Sequence, residues 1–285
     1  MNFVPRYLGR GSWLAQRDPR LLVIAVACFI LAAIQVWDIR VMLVLTALGF
    51  AWYRQAHIPF RAVRRQWLFA IGFVTLIVIF NLVVASPDRQ LHLREGAVEH
   101  IYGSIPILGK PVSDATVTYA ATQWLRFMGM IAIGFPIAFS IDPSAFGATF
   151  ARLGVPYRFA FAIDLTWRFI PSFAADFRTT LDAQRVRGMD LAPAGRTPIS
   201  RLKRQIPVVV PTVVNAIAGA EDTIDAMDLR SFGTGRRTWL HDLRFDRTDR
   251  LVLIGFATLL VVATIAAWTA GTAYLWVPPF MVPGG

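Results

Sequence analysis

Five stretches of this chain are almost purely apolar, and they predict its helices. Leu21–Trp37 runs without a charge, Asp38-Ile39-Arg40 interrupts it, and a second uncharged run extends from Val41 to Tyr53. Trp67–Ser86 is the third, with Thr75 and Asn81 as its notable polar residues. Val117–Ser140 is the fourth, with Arg126 in its first half, and Leu251–Trp268 is the last. A helix needs about 20 apolar residues, within a range of ~17–25, to cross the hydrocarbon core of a bilayer. Three runs meet that standard cleanly, and the Val41 run is short. Arg126 either snorkels to an interface or is held inside; intramembrane charge is costly and tends to be used, so it is the candidate for an intramembrane polar role. A soluble chain would have to bury all of these runs together, which is hard to do.

Between Ile141 and Arg250 the pattern changes to amphipathic helices punctuated by prolines. Asp142-Pro143-Ser144 opens a helix in the N-cap manner, and Gly154-Val155-Pro156 closes it. Tyr157–Phe173 is aromatic-rich but charged, with Asp164 and Arg168 one turn apart and able to pair. Ala174–Arg187 reads as a better-defined helix, with Arg178 and Asp182 at i,i+4 and Gly188 as its C-terminal stop. After Pro193, Gly195 and Pro198, the apolar Ile206–Ala220 continues directly into a charged segment ending at Arg230. This predicts one long helix with Pro207 and Pro211 near its start, where proline is best tolerated. Glu221, Asp225 and Asp228 share a face. They read equally well as a solvated surface or as partners of Arg201, Lys203 and Arg204.

Composition and charge then decide the solvent. Apolar residues make up 55% of the 285 positions and charged residues only 16%, against about 25% in soluble domains. The net charge of +11 and pI near 10.9 suggest nucleic acid at first sight. The distribution of that charge argues for a membrane instead. Arg6, Arg10, Arg17 and Arg20 precede the first run, and Arg54, Arg61, Arg64 and Arg65 fill the second loop. The connection Pro87–Thr116 is acidic on balance, whereas Ile141–Arg250 holds 16 of the 29 basic residues. Basic segments stay cytoplasmic, so the N-terminus and the Arg-rich region are expected inside. Five crossings then place the C-terminus outside, with more crossings only if Tyr157–Phe173 or Leu275–Val282 inserts. The basic N-terminal residues and the lack of a small-residue cleavage site argue against a secretory signal.

Little in the chain suggests covalent chemistry. The single cysteine, Cys28, excludes an internal disulfide and a Cys-based metal site. Gly103–Lys110 superficially resembles a phosphate-binding loop, but five residues separate its glycines and Pro111 stands where Ser or Thr is required. His92 and His100 lie near Glu95 and Glu99 without a metal-ligand spacing, and His57 and His241 stand alone in polar loops.

The more informative feature is a repeated ending. Val186-Arg187-Gly188 and Leu229-Arg230-Ser231 each close an amphipathic helix with an arginine beside a small residue. One arginine at a helix C-terminus merely suits the macrodipole. Two on successive helices form a pair of cationic tips, and the guanidinium fork suits bidentate contact with carboxylates on another chain.

With these motifs the sequence resembles the transmembrane T component of energy-coupling factor (ECF) transporters, the group that includes the cobalt-transport Q and biotin-transport N proteins. Ser12-Trp13-Leu14 and Asp18-Pro19-Arg20 resemble its N-terminal signature. Phe169-Ile170-Pro171 with Ala183–Gly188 resembles the approach to its first Ala-Arg-Gly motif, and Ala226–Gly233 the second. Val186 replaces the first alanine, and Leu229 and Ser231 replace the alanine and glycine of the second motif.

The runs and the charge distribution predict an all-α polytopic membrane protein in three parts: a membrane domain of about four spans over 1–140, cytoplasmic coupling helices over 141–250, and a last span with external C-terminus over 251–285. The resemblance fits that reading. It implies a non-catalytic subunit of an importer for a vitamin or a transition-metal ion, in a prokaryotic cell membrane. Two ABC-type ATPases and a membrane-embedded substrate-binding S component are the implied partners. The ATPase-coupling residues would be Val186, Arg187, Gly188, Leu229, Arg230 and Ser231. No cofactor, no metal and no nucleic acid are implied, ATP being bound by the partner subunits. Two competing classes are an intramembrane enzyme acting on a lipid-linked substrate and a basic anchor on anionic lipid.

Overall fold

The computed structural model describes residues 12–84, 101–105, 110–189, 198–235, 243, 245–269 and 274–275. It divides into two compact units, one built on Tyr7–Asp142 with Arg244–Gly285, the other on Pro143–Leu243.

The first unit is a helical bundle. Helix α1 (Pro19–Gln35) starts where Asp18 accepts a hydrogen bond from the Arg20 amide and Pro19 occupies the first turn. Helix α2 (Ile39–Gln55) repeats the device, with Asp38 accepting from the Arg40 amide at 2.9 Å. The polar break between the first two apolar runs is therefore a helix cap. Helix α3 (Phe60–Val84) follows a short turn. Strands β1 (Ile101–Ile105) and β2 (Lys110–Ser113) then pair antiparallel. Gly103 lies within β1 and Lys110 opens β2, so this segment is a hairpin and not a strand–loop–helix phosphate cradle. Helices α4 (Asp114–Gly134) and α5 (Ile137–Ser140) complete the first part of the bundle.

In that bundle α4 packs against α1, α2 and α3. Thr46, Gly49 and Trp52 on α2 recur at helical spacing and are buried with Met42 and Leu45. Among its opposing residues Met128, Ala132 and Ile133 on α4 are buried too. Lipid offers the helices no hydrophobic reason to associate, so close backbone approach and interhelical hydrogen bonds have to hold them. Both occur where α2 meets α4. The Thr46 hydroxyl donates to the Leu125 carbonyl at 3.0 Å, and Gly49 and Gly129 stand face to face.

In the second unit, Phe146–Arg152 forms α6 and packs on α7 (Tyr157–Val186), with Phe146 stacked on Trp167 at 5.6 Å. Helix α7 is continuous for 30 residues through Pro171, joining the two segments Tyr157–Phe173 and Ala174–Arg187. Helix α8 (Pro198–Leu229) packs against α7. It starts at Pro198, so Pro207 and Pro211 lie in its interior, not near its start as the apolar pattern predicted. The polar residues between Pro198 and Gln205 are helical, and proline at the first helical position costs nothing because its missing N–H would have been an orphan.

The final helix, α9 (Arg247–Thr269), returns to the first unit and packs along α1. Its start is tied to the N-terminal segment. Arg17 lies 3.4 Å from Asp246 and 3.6 Å from Asp249, and the buried Asp249 accepts a hydrogen bond from the Asp246 amide. That backbone contact caps the first turn of α9 from inside the helix.

Phe60–Leu82 and Arg247–Thr269 each have the length and hydropathy of a membrane span, and only 11% of either window is buried. Leu68, Leu76 and Ile79 on α3, and Leu251, Ile254 and Val261 on α9, are exposed. Helix α1, with 17 residues, is about 26 Å long, at the lower limit for a crossing.

The coupling tips and the buried arginine

The two arginine motifs are built alike, down to the hydrogen bonds. At the end of α7, Arg187 is the C-cap and Gly188 takes φ +85°. The Gly188 amide donates to the Arg185 carbonyl and the Met189 amide to the Gln184 carbonyl, both at 3.0 Å. At the end of α8, the Ser231 amide donates to Asp228 and the Phe232 amide to Met227, both at 2.9 Å. Each is a Schellman motif with arginine at the C-cap. Ser231 adopts φ +53° where the first tip has glycine. The side chain changes and the left-handed backbone does not.

Val186 and Leu229 immediately precede these arginines, and each is 89% exposed. They are the most exposed large apolar side chains among the described residues. Arg187 and Arg230 are exposed as well, and neither forms an ion pair among the described residues. Arg185 by contrast pairs with Asp182 at 2.9 Å. Glu221, Asp225 and Asp228 are exposed on α8. The basic side chains proposed to answer them lie outside the described residues.

Phe232, just beyond the second tip, packs on Phe161 in the second turn of α7 at 4.8 Å. The C-terminal end of α8 therefore lies beside the N-terminal part of α7. A cavity of about 600 Å³ opens there, lined by Tyr157, Arg158, Phe161, Phe232, Gly233 and Gly235. Arg187 is 26 residues beyond Phe161, or roughly 39 Å along an α-helix. The two tips consequently stand at opposite ends of one helix pair.

Arg126 occupies a different environment, in the middle of α4 and 7% exposed. Its Nη2 donates to the Val36 carbonyl at 2.6 Å, and Nη1 donates to Gln123 Oε1 at 2.7 Å. Its guanidinium lies over the Trp37 ring at 4.0 Å, and Trp37 in turn stacks on Tyr119 at 5.6 Å. Val36 is the C-cap of α1. The arginine thus supplies a donor to a helix-end carbonyl where the chain turns from α1 into α2. Non-helical backbone is tolerated at depth only when such groups are satisfied within the protein. Arg126 is held by partners within the protein. Neither Val36 nor Trp37 was legible as its partner, since both lie about ninety residues away in the sequence.

Among the described residues no group of three His, Cys, Asp or Glu is placed to hold a metal ion. His57 is exposed, with Nδ1 2.9 Å from the Gln55 carbonyl. His92, His100, Glu95, Glu99 and His241 lie outside the described residues.

Lipid-facing apolar helices around a bundle, joined in one chain to a long amphipathic pair, define an all-α polytopic membrane protein. The chain belongs to the cobalt transport protein family CbiQ, whose pattern matches residues 10–240. It is similar to the energy-coupling factor transporter transmembrane protein EcfT of Leuconostoc gelidum, with 22% identity over 94% of this chain and 98% of that protein. The protein of the same name from Exiguobacterium sibiricum is 26% identical over 90% of this chain and 94% of its own length. That from Listeria innocua is 25% identical over 89% and 94%.

Proposed function

We propose that this protein is the energy-coupling transmembrane subunit of an ECF-type importer, and that Arg187 and Arg230 are its contacts with two cytoplasmic ABC-type ATPases. The observation that carries this reading is the repeated tip: a Schellman turn, a C-cap arginine without an intrachain ion pair among the described residues, and an aliphatic neighbour 89% exposed. A solvated helix end needs none of the aliphatic exposure. A tip that enters a carboxylate-bearing groove uses both parts, burying Val186 or Leu229 while the guanidinium forks onto the acid. Tips at opposite ends of one helix pair suit two ATPase subunits, not one.

ATP binds and is hydrolysed on those partners, and this subunit holds no cofactor and makes no covalent bond. The cytoplasmic side carries the N-terminus, the α2–α3 turn and the amphipathic pair, as the arginine distribution indicates. Motion of the ATPases passes along α7 and α8, which can shift as rigid rods between two packings. Helix α8 also exposes Ile206, Val210, Val213, Val214, Ile217 and Ile224 at helical spacing. Such an apolar stripe fits the membrane-embedded, substrate-binding S component, which selects the vitamin or metal ion carried.

The test is copurification and transport measured separately for Arg187→Ala, Arg230→Ala, the double variant and Arg185→Ala. Truncating one member of a desolvated charge pair costs on the order of 2–5 kcal/mol, and two-point attachment masks part of that cost. Each single tip variant should weaken transport while retaining some ATPase, and the double variant should lose both. Lysine should rescue poorly, because it lacks the fork. Arg185→Ala should behave like the parent. A double variant that assembles and transports normally would reduce both arginines to helix-end charges.

A further inference from the structure

No acidic residue occurs between Asp38 and Asp88, yet this stretch carries Arg54, Arg61, Arg64 and Arg65 around the α2–α3 turn. All four are exposed, and none forms an ion pair among the described residues.

An aromatic cluster lies just inside them. Trp67 Nε1 donates to the Tyr53 hydroxyl at 3.1 Å. Phe135 stacks on Trp67 at 5.5 Å and meets Tyr53 at 6.0 Å, edge-on. The cluster joins the end of α2, the beginning of α3 and the end of α4, so it marks one end of the bundle. Tryptophan and tyrosine collect at the boundary between acyl chains and headgroups. Arg65, Arg64 and Arg61 precede Trp67 on α3 by two, three and six residues, which places their backbones roughly 3–9 Å further out. Phe60–Leu82 has the length and hydropathy of a span with these arginines in its first two turns, so a bilayer around it would meet them at the level of the lipid phosphates.

The same face of α3 continues inward as a track. Arg61, Arg65, Leu68, Gly72, Leu76 and Ile79 follow one another at intervals of three or four. Leu68, Leu76 and Ile79 are exposed, and a Cβ on Gly72 would meet nothing within 4 Å. The face is cationic at its outer end and apolar below, with a notch at Gly72. We propose that it binds an anionic diacyl phospholipid, with the arginines on the headgroup phosphate and an acyl chain lying along Leu68, Gly72 and Leu76. An acidic peptide would match the arginines and leave the apolar track unused.

The test uses the purified full-length chain in detergent, with retention of phosphatidylglycerol, phosphatidylcholine and free glycerol phosphate measured by native mass spectrometry. Phosphatidylglycerol should be retained preferentially. Each basic residue near an anionic lipid surface contributes about a fivefold factor in binding, so R61Q/R65Q should lose roughly 25-fold and the quadruple variant with R54Q and R64Q more. Gly72→Leu, which leaves the charge intact, should weaken the lipid and leave glycerol phosphate unaffected. R187Q/R230Q should retain lipid like the parent, so the result is independent of any ATPase contact. If the quadruple variant does not fold, R61Q/R65Q and Gly72→Leu decide the matter. Equal retention of phosphatidylcholine, undiminished phosphatidylglycerol in R61Q/R65Q, or equally tight glycerol phosphate would each overturn the proposal.

Discussion

Gly49 of α2 and Gly129 of α4 face each other so closely that a Cβ on Gly49 would lie 2.8 Å from the Gly129 carbonyl oxygen. The obstacle is backbone, so no side-chain rotation relieves it. Here Thr46 also reaches the Leu125 carbonyl, so the crossing is held by contact and by a hydrogen bond at once.

Gly49→Ala should therefore push the two helices apart. Overpacking of this kind costs about 1–3 kcal/mol. Thermal unfolding of the purified protein in detergent should show a lower midpoint for Gly49→Ala and little change for Gly255→Ala, whose added Cβ meets nothing within 4 Å. Equal midpoints would mean the crossing is not tight.

Arg126 should matter through the end of α1. Arg126→Leu leaves the Val36 carbonyl without its side-chain donor, at a cost of about 1–3 kcal/mol. Arg126→Lys should recover only part of this, because one ammonium cannot serve Val36 and Gln123 in fork geometry while stacking on Trp37. A double-mutant cycle with Trp37→Leu should show coupling. Additive losses would disprove the shared cluster.

The second tip carries a small strain that the first does not. A non-glycine residue in the left-handed region costs roughly 1–2 kcal/mol, so Ser231→Gly should stabilise the turn by up to about 1 kcal/mol after the glycine's added chain entropy. Gly188→Ala should destabilise the first tip by a similar amount. Hydrogen-exchange protection of the Phe232 and Met189 amides would register both changes in opposite directions.

Sidedness is testable in intact cells. A cysteine replacing Glu95 should react with an impermeant thiol reagent added outside, and one replacing Ala194 should react only after the membrane is opened. The opposite pattern would invert the orientation assigned from the arginines.

Sequence alone determined the helices, the membrane and the position of the two tips, because each is a local property. An uncharged run of 17 or more residues announces a span by itself, and an arginine before a small residue announces a helix end, whereas the caps at Asp18 and Asp38 appeared only in the structure. Proline was a weaker guide. Pro171, Pro207 and Pro211 all lie within continuous helices, since a lost hydrogen bond is a local penalty that favourable packing elsewhere on a long helix can offset. Only the tertiary structure decided what is relational. It placed Val36 under Arg126, set Gly49 against Gly129, packed the last helix along the first, and held Ser231 in a glycine's conformation. These depend on which distant segment occupies the neighbouring space, and neither a residue type nor a period along one chain encodes that. The equivalence of the two tips belongs to both levels: the arginines were visible in the sequence, and the shared Schellman turn that makes Ser231 stand in for Gly188 appeared only in the backbone.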